Sequence, residues 1–297
     1  MIEDILQRLS RIPLRLRKRS PYVWHGHHAS HGQGSGLDFD QIKEYQPGEP
    51  MRKINWAATA RLGSQTPLVN VYHEEKTTTV MLLVDLSASM NFGSKRLTKR
   101  DLTAEISASL VYSALASHDR IGLLGFASEV MVYFPPRKEA AYQRAIPEYI
   151  LTASSHPGEV NFQVVANYLQ QVLKQTALVF VLSDFLADDT VDIQAALSQL
   201  RRRHDIIPLL ITDPLERDLP VAQARLLTHD MESGKLRSYS FTRKNRQHIQ
   251  HLRQTRDKTL HHMFQSLGLR YLRILPSSDY VNDLSALFST QSSRASA

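Results

Sequence analysis

Cysteine is absent from this sequence of 297 residues, and long hydrophobic runs are missing as well. Without thiols the protein cannot form disulfides, thiolate zinc sites or iron–sulfur clusters, and it cannot use a cysteine nucleophile. The longest apolar runs, Val80–Val84 and Ala177–Leu182, have five and six residues, whereas a membrane-spanning helix needs about 20. We therefore predict no transmembrane helix, and the lack of cysteine is typical of a cytoplasmic protein.

Basic charge is concentrated at the two ends of the chain. Residues 1–31 carry six basic and two acidic side chains, and residues 235–297 carry eleven and three. Residues 32–234 carry nineteen and twenty-four, so the net charge of +7 hides an acidic body. Basic ends are usually solvated surface, and an anionic membrane or a nucleic acid is the alternative interpretation.

An amphipathic segment opens the chain and is followed by a basic run, Arg15–Arg19. Charged residues interrupt the apolar pattern, so we expect no signal peptide. Residues 2–19 are able to lie on a membrane surface, although a helix of this kind more often docks on its own protein. The apolar positions have helical spacing and are Ile2, Ile5, Leu6, Leu9 and Ile12.

Apolar strands alternate with amphipathic helices from residue 77 onwards. The predicted strands are 79–84, 120–126, 130–134, 177–182 and 205–212. The predicted helices are 98–117, 142–151, 164–173 and 191–200. This alternation is typical of an α/β fold with a doubly wound, mostly parallel sheet and helices on both faces.

The domain organisation follows from this change in pattern. We predict an N-terminal basic amphipathic segment at 1–31, a small β-rich subdomain at 32–76, an α/β domain with a C-terminal extension at 77–290, and a tail at 291–297. The extension is predicted to contain a hairpin at 225–240, a basic helix at 242–266, a strand at 269–275 and a helix at 280–288. The predicted inner face of the basic helix consists of Ile249, Leu252, Leu260, Met263 and Phe264.

Two predicted strands end in carboxylates, Asp85 and Asp184. The carboxyl ends of parallel strands meet at one edge of the sheet, where ligands bind in open α/β folds. Ser87 and Ser89 follow Asp85, and one carboxylate with two hydroxyls at this spacing suits Mg²⁺, which prefers hard oxygen ligands. Aspartate and serine after a strand also form ordinary turns and helix caps, so both interpretations stay open.

Six collinear motifs give the sequence a resemblance to a known family. The pattern Asp85-x-Ser87-x-Ser89, followed by Ser183-Asp184, resembles the metal-ion-dependent adhesion site of von Willebrand factor A domains. Residues 33–290 resemble domain of unknown function family 58 (DUF58), which implies a von Willebrand factor A-like α/β domain. The motifs are Ser35–Phe39, Glu44–Gly48, Arg52–Trp56, Ala60–Arg61, Asp85–Met90 and Asp213–Glu216.

The resemblance also implies a ligand set for Mg²⁺. The first metal loop and the aspartate of the fourth-strand loop are both matched, but the family's remaining ligand is a threonine. The corresponding stretch, 158–162, contains none: the resemblance implies Val160 at the threonine position, with Asn161 at that position as the alternative, and either Asn161 or a water as the substitute ligand. We therefore expect a weak Mg²⁺ site formed by Asp85, Ser87, Ser89, Asn161 and Asp184.

An interaction module without catalytic activity is the function that the resemblance implies. In such a site the metal keeps one coordination position open, and an acidic residue of a protein partner completes it. Members of the family are frequently encoded beside MoxR-type AAA+ ATPases, which implies a chaperone-like role with such an ATPase. Because a carboxylate at a strand end is not core, we expect Asp85→Ala to weaken partner binding and to leave the fold intact.

Two other classes of function stay open. One is nucleic-acid binding through the basic helix, and the other is a metal-dependent hydrolase that uses Asp85 and Asp184. The sequence contains no Walker loop, no G-x-S-x-G elbow and no HExxH motif, which disfavours an enzyme. The basic side chains of the helix are Lys244, Arg246, Arg253, Arg256 and Lys258.

Overall fold

The structure is a computed structural model of the chain. The predicted N-terminal segment at 2–19 and the tail at 291–297 lie outside the residues that it describes. These residues form two compact units, a small one that ends at Thr77 and a large one that begins at Thr78. The described ranges are 37–47, 51–63, 66–74, 77–94, 97–154, 160–186, 190–217, 225–229, 236–240 and 243–289.

The small unit contains a two-stranded antiparallel sheet and one helix. Strands β1 (Leu37–Glu44) and β2 (Leu68–Glu74) form the sheet. Between them in sequence lie a short 3-10 turn at Met51–Lys53 and helix α1 (Trp56–Leu62). This helix was not predicted from the sequence.

Helix α1 exists because its two ends are capped. The side-chain oxygen of Asn55 accepts a hydrogen bond from the Ala58 N–H at 2.9 Å, which satisfies one of the free donors of the first turn. Gly63 ends the helix with a left-handed φ of 60°, a conformation that favours glycine. The hydroxyl of Thr59 accepts the N–H of Leu68 at 2.9 Å and so fixes the helix to β2.

The large unit is built on a six-stranded sheet. Strands β8 and β9 pair only with each other as an antiparallel hairpin, and the other six strands have the order β10-β7-β6-β3-β4-β5. Only β5 is antiparallel to its neighbour. In chain order the strands are β3 (Thr79–Asp85), β4 (Arg120–Phe126), β5 (Val130–Arg137), β6 (Leu178–Ser183), β7 (Asp205–Ile211), β8 (Arg225–His229), β9 (Leu236–Ser240) and β10 (Leu272–Ile274).

Helices cover both faces of this sheet, which confirms the predicted doubly wound, mostly parallel α/β fold. Helices α2, α3 and α8 bury their apolar residues against one face, and α4, α5 and α7 bury theirs against the other. A short helix, α6, follows β7. The helices are α2 (Lys99–Ala116), α3 (Tyr142–Thr152), α4 (Phe162–Val172), α5 (Thr190–Arg201), α6 (Pro214–Arg217), α7 (Arg243–Ser266) and α8 (Tyr280–Ser289).

Strand β3 shows why its sequence is continuously apolar. Val80, Leu82 and Val84 point into the core on one face, and Met81 and Leu83 point into the core on the other. All five side chains are at most 1% exposed. A central strand of a covered parallel sheet needs apolar residues on both sides, and this packing fixes the residue at its carboxyl end, Asp85.

The inner face of α7 is shorter than predicted. Leu260, Met263 and Phe264 are buried in the core, but Leu252 is 55% exposed and Ile249 is only half-buried. The apolar period indicates which side of a helix faces inward, but it does not indicate how far the helix extends over the core. In the described part of the chain, α7 and the other helices are too short or too polar to cross a membrane.

Candidate functional site

Three aspartates follow three neighbouring strands at one edge of the sheet. Asp85 ends β3, Asp184 follows β6, and Asp213 lies two residues after β7. All three are buried, with exposures of 2%, 3% and 0%. The predicted meeting of Asp85 and Asp184 at the carboxyl edge is therefore present in the fold.

Asp85 is held by its neighbours on both sides. Its Oδ1 accepts the Ser87 N–H at 2.9 Å, and its Oδ2 accepts the hydroxyl of Ser183 at 2.6 Å. Burial, followed by the negative charge of Asp184, raises the pKa of Asp85 to about 6. The expectation that Asp85 lies outside the core is wrong, because the loops that follow β3 and β6 fold over the strand end and enclose the carboxyl group.

The two serines of the first loop form a hydroxyl pair. Ser87 Oγ and Ser89 Oγ lie 3.0 Å apart; Ser87 directly precedes a short 3-10 turn at Ala88–Asn91, and Ser89 lies within it. Ser87 is buried, whereas Ser89 is half-buried. Asp85, Ser87 and Ser89 thus lie together as the sequence predicts, with Ser89 closest to solvent.

The carboxylate of Asp184 forms an ion pair with Lys99. Asp184 Oδ2 accepts a hydrogen bond from Lys99 Nζ at 2.6 Å, and Oδ1 accepts the Leu186 N–H at 3.0 Å. The ammonium also donates to Glu216 Oε1 at 2.6 Å. Burial alone would lower the pKa of Lys99, but the charges of Asp184 and Glu216 raise it above its ordinary value. Lys99 is therefore a charged group inside the protein.

The motif Asp213–Glu216 fixes the third loop. Asp213 Oδ1 accepts the Leu215 N–H and its Oδ2 accepts the Ser94 N–H, both at 2.8 Å. Glu216 Oε2 accepts the N–H of Asp213 at 3.1 Å. Asp213 thus shapes a turn and connects it to the loop after β3, while Glu216 both closes the turn and binds Lys99.

Arg100 brings a second positive charge to the site. Its guanidinium donates to the carbonyl oxygens of Ala153 at 2.6 Å and Leu86 at 3.1 Å. Burial lowers the pKa of Arg100, and the nearby charges of Asp85 and Asp101 oppose this effect. Arg100 Nε is buried and has no hydrogen-bond partner among the described residues.

The predicted substitute ligand, Asn161, has another role. Its side-chain Oδ1 accepts the Val164 N–H at 3.0 Å, so Asn161 caps the first turn of α4. The side chain of Val160 is half-buried and packs against the core. The side-chain oxygen of this predicted ligand is therefore used in a helix cap, and it takes no part in the hydrogen bonds that join Asp85, Ser87 and Ser183.

The donor set does not fit Mg²⁺ in this arrangement. Mg²⁺ needs about six oxygens in near-octahedral geometry, but Asp184 is paired with an ammonium and Asn161 caps a helix. Two neutral hydroxyls and the buried carboxylate of Asp85 remain. No cluster of three or more histidine or acidic side chains in the described ranges is placed to hold a metal ion. The predicted Mg²⁺ ligand set stays a prediction that this geometry does not favour.

Sequence reasoning missed Lys99, Arg100 and the role of Glu216. One signal was available. Two basic residues directly follow Thr98, which caps α2, and cations in a first helical turn oppose the helix dipole. Such residues need nearby carboxylates, but the spacing of strands and loops in the sequence does not show which carboxylates these are.

Part of the basic charge on α7 is used inside the protein. Arg253 donates to the carbonyl oxygen of Leu215 at 3.1 Å, and Arg256 donates to that of Phe185. The side chains of Lys244 and Arg246 lie outside the described residues, and Lys258 is exposed. Two of the five predicted nucleic-acid contacts are thus bonded to loops of the site.

Comparisons with known proteins identify the family of this chain. The family model "Protein of unknown function DUF58" matches residues 41–259. The uncharacterized proteins Rv1480 of Mycobacterium tuberculosis and Mb1516 of Mycobacterium bovis are each 27% identical over 234 residues, which cover 78% of this chain and 72% of theirs. The names of both relatives, like the description of the family, state no function.

Solved structures resemble the fold at low sequence identity. BatB, a conserved hypothetical protein from Bacteroides thetaiotaomicron, is 12% identical with a TM-score of 0.50, and the match covers 73% of this chain and 99% of BatB. The SpRpn10 VWA domain is 15% identical with a TM-score of 0.41, over 70% of this chain and 93% of that domain. The chain therefore belongs to the DUF58 family, and its α/β fold is similar to that of BatB.

Proposed function

We propose that the protein is a non-catalytic interaction module whose protein partner binds at the carboxyl edge of the sheet, around Ser87 and Ser89. The observation that carries this proposal is the paired hydroxyls, 3.0 Å apart on a loop fixed by buried carboxylates. Ser89 is half-buried and Ser87 buried, so a partner reaches the pair through Ser89. A rigid edge with preset donors and acceptors binds a partner with little ordering cost.

The chemistry of the site supports binding more than catalysis. Ser87 pairs with Ser89, and no hydrogen bond joins a histidine to either serine in the described part of the chain, so neither hydroxyl has a base to activate it. The oxygens of Asp85 accept from Ser87 and Ser183, and those of Asp184 accept from Lys99 and Leu186. A hydrolase would need at least one of these carboxylates to face a substrate or a water.

The partner class follows from the family resemblance. We propose a MoxR-type AAA+ ATPase, with the module acting as its adaptor in a chaperone-like role in the cytoplasm, where ATP is available. A partner of this kind is large. The loops of the site are joined by buried hydrogen bonds and an ion pair, so they can bind and release such a partner repeatedly without local unfolding. The alternative is a contact that the partner makes through a bound Mg²⁺. A chelator should abolish such a contact, whereas it should not affect a contact made through the hydroxyls alone.

Co-purification with a MoxR-type AAA+ ATPase from the same organism tests the proposal. The double variant Ser87→Ala/Ser89→Ala removes both hydroxyls and leaves Asp85 and its partner Ser183 in place. We expect the wild-type protein to retain the ATPase and the double variant to lose it. Ser117→Ala is the matched control, since Ser117 is exposed and follows the end of α2, at the opposite edge of the sheet. Equal retention by all three proteins would place the contact elsewhere.

A further inference from the structure

Lys99 lies where three loops of the site meet. Its ammonium donates to Asp184 Oδ2 and to Glu216 Oε1, each at 2.6 Å, and its side chain is fully buried. We propose that this ammonium supplies, from within the chain, the positive charge that the family resemblance assigns to a divalent ion. The site then keeps its charge balance and its shape without a bound metal.

The contacts of Lys99 join three separate segments. Lys99 belongs to the first turn of α2, Asp184 follows β6, and Glu216 belongs to α6 after β7. A metal ion organises a site by binding ligands from several loops at once, and the ammonium has three N–H donors with which to do the same. Because β3, β6 and β7 are neighbours in the sheet, this single cation connects the loops that follow all three.

The local electrostatics oppose a second cation. Asp184 is only 1% exposed at its side chain and already faces an ammonium at 2.6 Å. Arg100 adds a guanidinium on the side of Asp85. A divalent ion placed between Asp85 and Asp184 would be repelled by both cations in a poorly solvated environment, where charge interactions are screened less than in water.

The ligand geometry gives an independent argument. The threonine position is occupied by Val160, which has no oxygen in its side chain, and Asn161 uses its side-chain oxygen to cap α4. Val160 and Asn161 lie on a different loop from Lys99, and their contacts do not involve Lys99. The loss of ligands on one side and the gain of a built-in cation on the other both point to a site that has exchanged its metal for Lys99.

One consequence concerns the partner, and it rests on the proposed function. Without a metal there is no open coordination position for a partner's carboxylate, and Lys99 is too buried to replace it. The partner must then bind through hydrogen bonds to the hydroxyls of Ser87 and Ser89 and to the surrounding loops. The inference about Lys99 itself is tested on the isolated chain, so its failure is distinguishable from a failure of partner binding.

Thermal unfolding with and without metal provides the test. The wild-type protein should show the same Tm in EDTA and in millimolar MgCl2, and Mn²⁺ titration followed by electron paramagnetic resonance should show no specific binding. Lys99→Met should lower the Tm in EDTA by roughly 10 °C, since it leaves a buried carboxylate unpaired. Millimolar Mg²⁺ should then raise the Tm of this variant, because the carboxylate of Asp184 loses its ammonium partner and becomes free to bind a cation.

Controls keep the test decisive. Lys258→Met removes an exposed lysine from α7 and should change neither the Tm nor the metal response. If Lys99→Met does not fold, Lys99→Met/Asp184→Asn removes both charges of the pair and should fold without gaining metal affinity. A wild-type Tm that rises with Mg²⁺, or a folded Lys99→Met variant that ignores Mg²⁺, would overturn the proposal.

Discussion

Lys99 Nζ lies 2.6 Å from Asp184 Oδ2, and the two side chains are only 0% and 1% exposed. Removing one partner of such a buried pair leaves an uncompensated charge and costs about 3–5 kcal/mol. The pair therefore makes Lys99 as important to this edge of the sheet as any residue of the predicted adhesion site. It also changes what Asp184 is able to bind.

The two acceptors of Lys99 should contribute unequally to stability. Asp184 is buried, whereas the side chain of Glu216 is 25% exposed and partly screened by water. We expect Asp184→Asn to lower the free energy of unfolding by about 3 kcal/mol and Glu216→Gln by about 1 kcal/mol. Urea unfolding at neutral pH measures both, and equal losses would show that Lys99 does not distinguish its two partners.

His204 should make the protein sensitive to mild acid. It is only 4% exposed, and neither ring nitrogen has a hydrogen-bond partner among the described residues. Burial, and then the charge of Arg203, lowers the pKa of His204 to about 4. Its neutral form therefore stabilises the fold fully above the ordinary histidine pKa near 6.5, and this contribution is lost as the pH falls from there towards 4.

The variant His204→Leu isolates that effect. Between pH 7.5 and pH 5 the free energy of unfolding should fall for both proteins. The fall should be larger for the wild-type protein than for His204→Leu by roughly 2 kcal/mol. His248→Leu, at an exposed position of α7, serves as the control and should behave as the wild type. An identical pH dependence in all three proteins would mean that His204 is solvated in the native state.

Asp119 should have a pH dependence of the opposite sign. It accepts the Thr78 N–H at 2.6 Å, and burial raises its pKa to about 6 despite this hydrogen bond. The folded protein thus favours the protonated acid, so stability from this group is present below pH 4 and is lost as the pH rises through 6. Asp119→Asn keeps the acceptor oxygen without the charge.

Comparison of Asp119→Asn with the wild type checks this directly. The variant should gain free energy of unfolding relative to the wild type at pH 8, and the difference should shrink as the pH approaches 4. A variant that is less stable than the wild type at pH 8 would show that the ionised carboxylate strengthens the bond to Thr78 by more than its burial costs.

Threonine at position 160 should restore metal binding only when Lys99 is removed. Val160→Thr is nearly isosteric and adds a hydroxyl where the family has one. In the wild-type background the ammonium of Lys99 remains, and calorimetry should detect no Mg²⁺ binding. In the Lys99→Met background, Val160→Thr should tighten Mg²⁺ binding by roughly 1–2 kcal/mol, the range of a single well-placed ligand. Tight Mg²⁺ binding by Val160→Thr alone would mean that Lys99 is no barrier to the metal.

The sheet was largely predictable because its strands carry their own signal. Residues 80–84 and 177–182 are continuous apolar runs, which is what a central strand buried on both faces requires. The helix at Trp56–Leu62 was not predictable from the sequence. Its seven residues make too few turns to show a helical period of apolar positions, and the helix depends on its caps at Asn55 and Gly63. The exposed position of Leu252 was missed because a periodic helix extends beyond the core that it covers.

The position of the site at the carboxyl edge of the sheet was predictable from the sequence, but the ion pairs within the site were not. Asp85 and Asp184 end neighbouring strands, and parallel topology alone brings them to one edge. Lys99 is 85 residues from Asp184 in sequence. No local sequence pattern indicates that the side chain of Lys99 points inward and reaches Asp184. Only the packing of α2 against the strand ends decides that direction.

The proposed arrangement can be tested by titrating a purified MoxR-type AAA+ ATPase, the proposed partner, against this protein in EDTA and in Mg²⁺. In this arrangement the edge around Ser87 and Ser89 binds its partner through a site organised by Lys99 and not by a metal. We expect the same Kd in both buffers, and a Kd weakened at least about tenfold by Ser87→Ala/Ser89→Ala in both. Binding that is lost in EDTA, or that the double variant leaves unchanged, would contradict it.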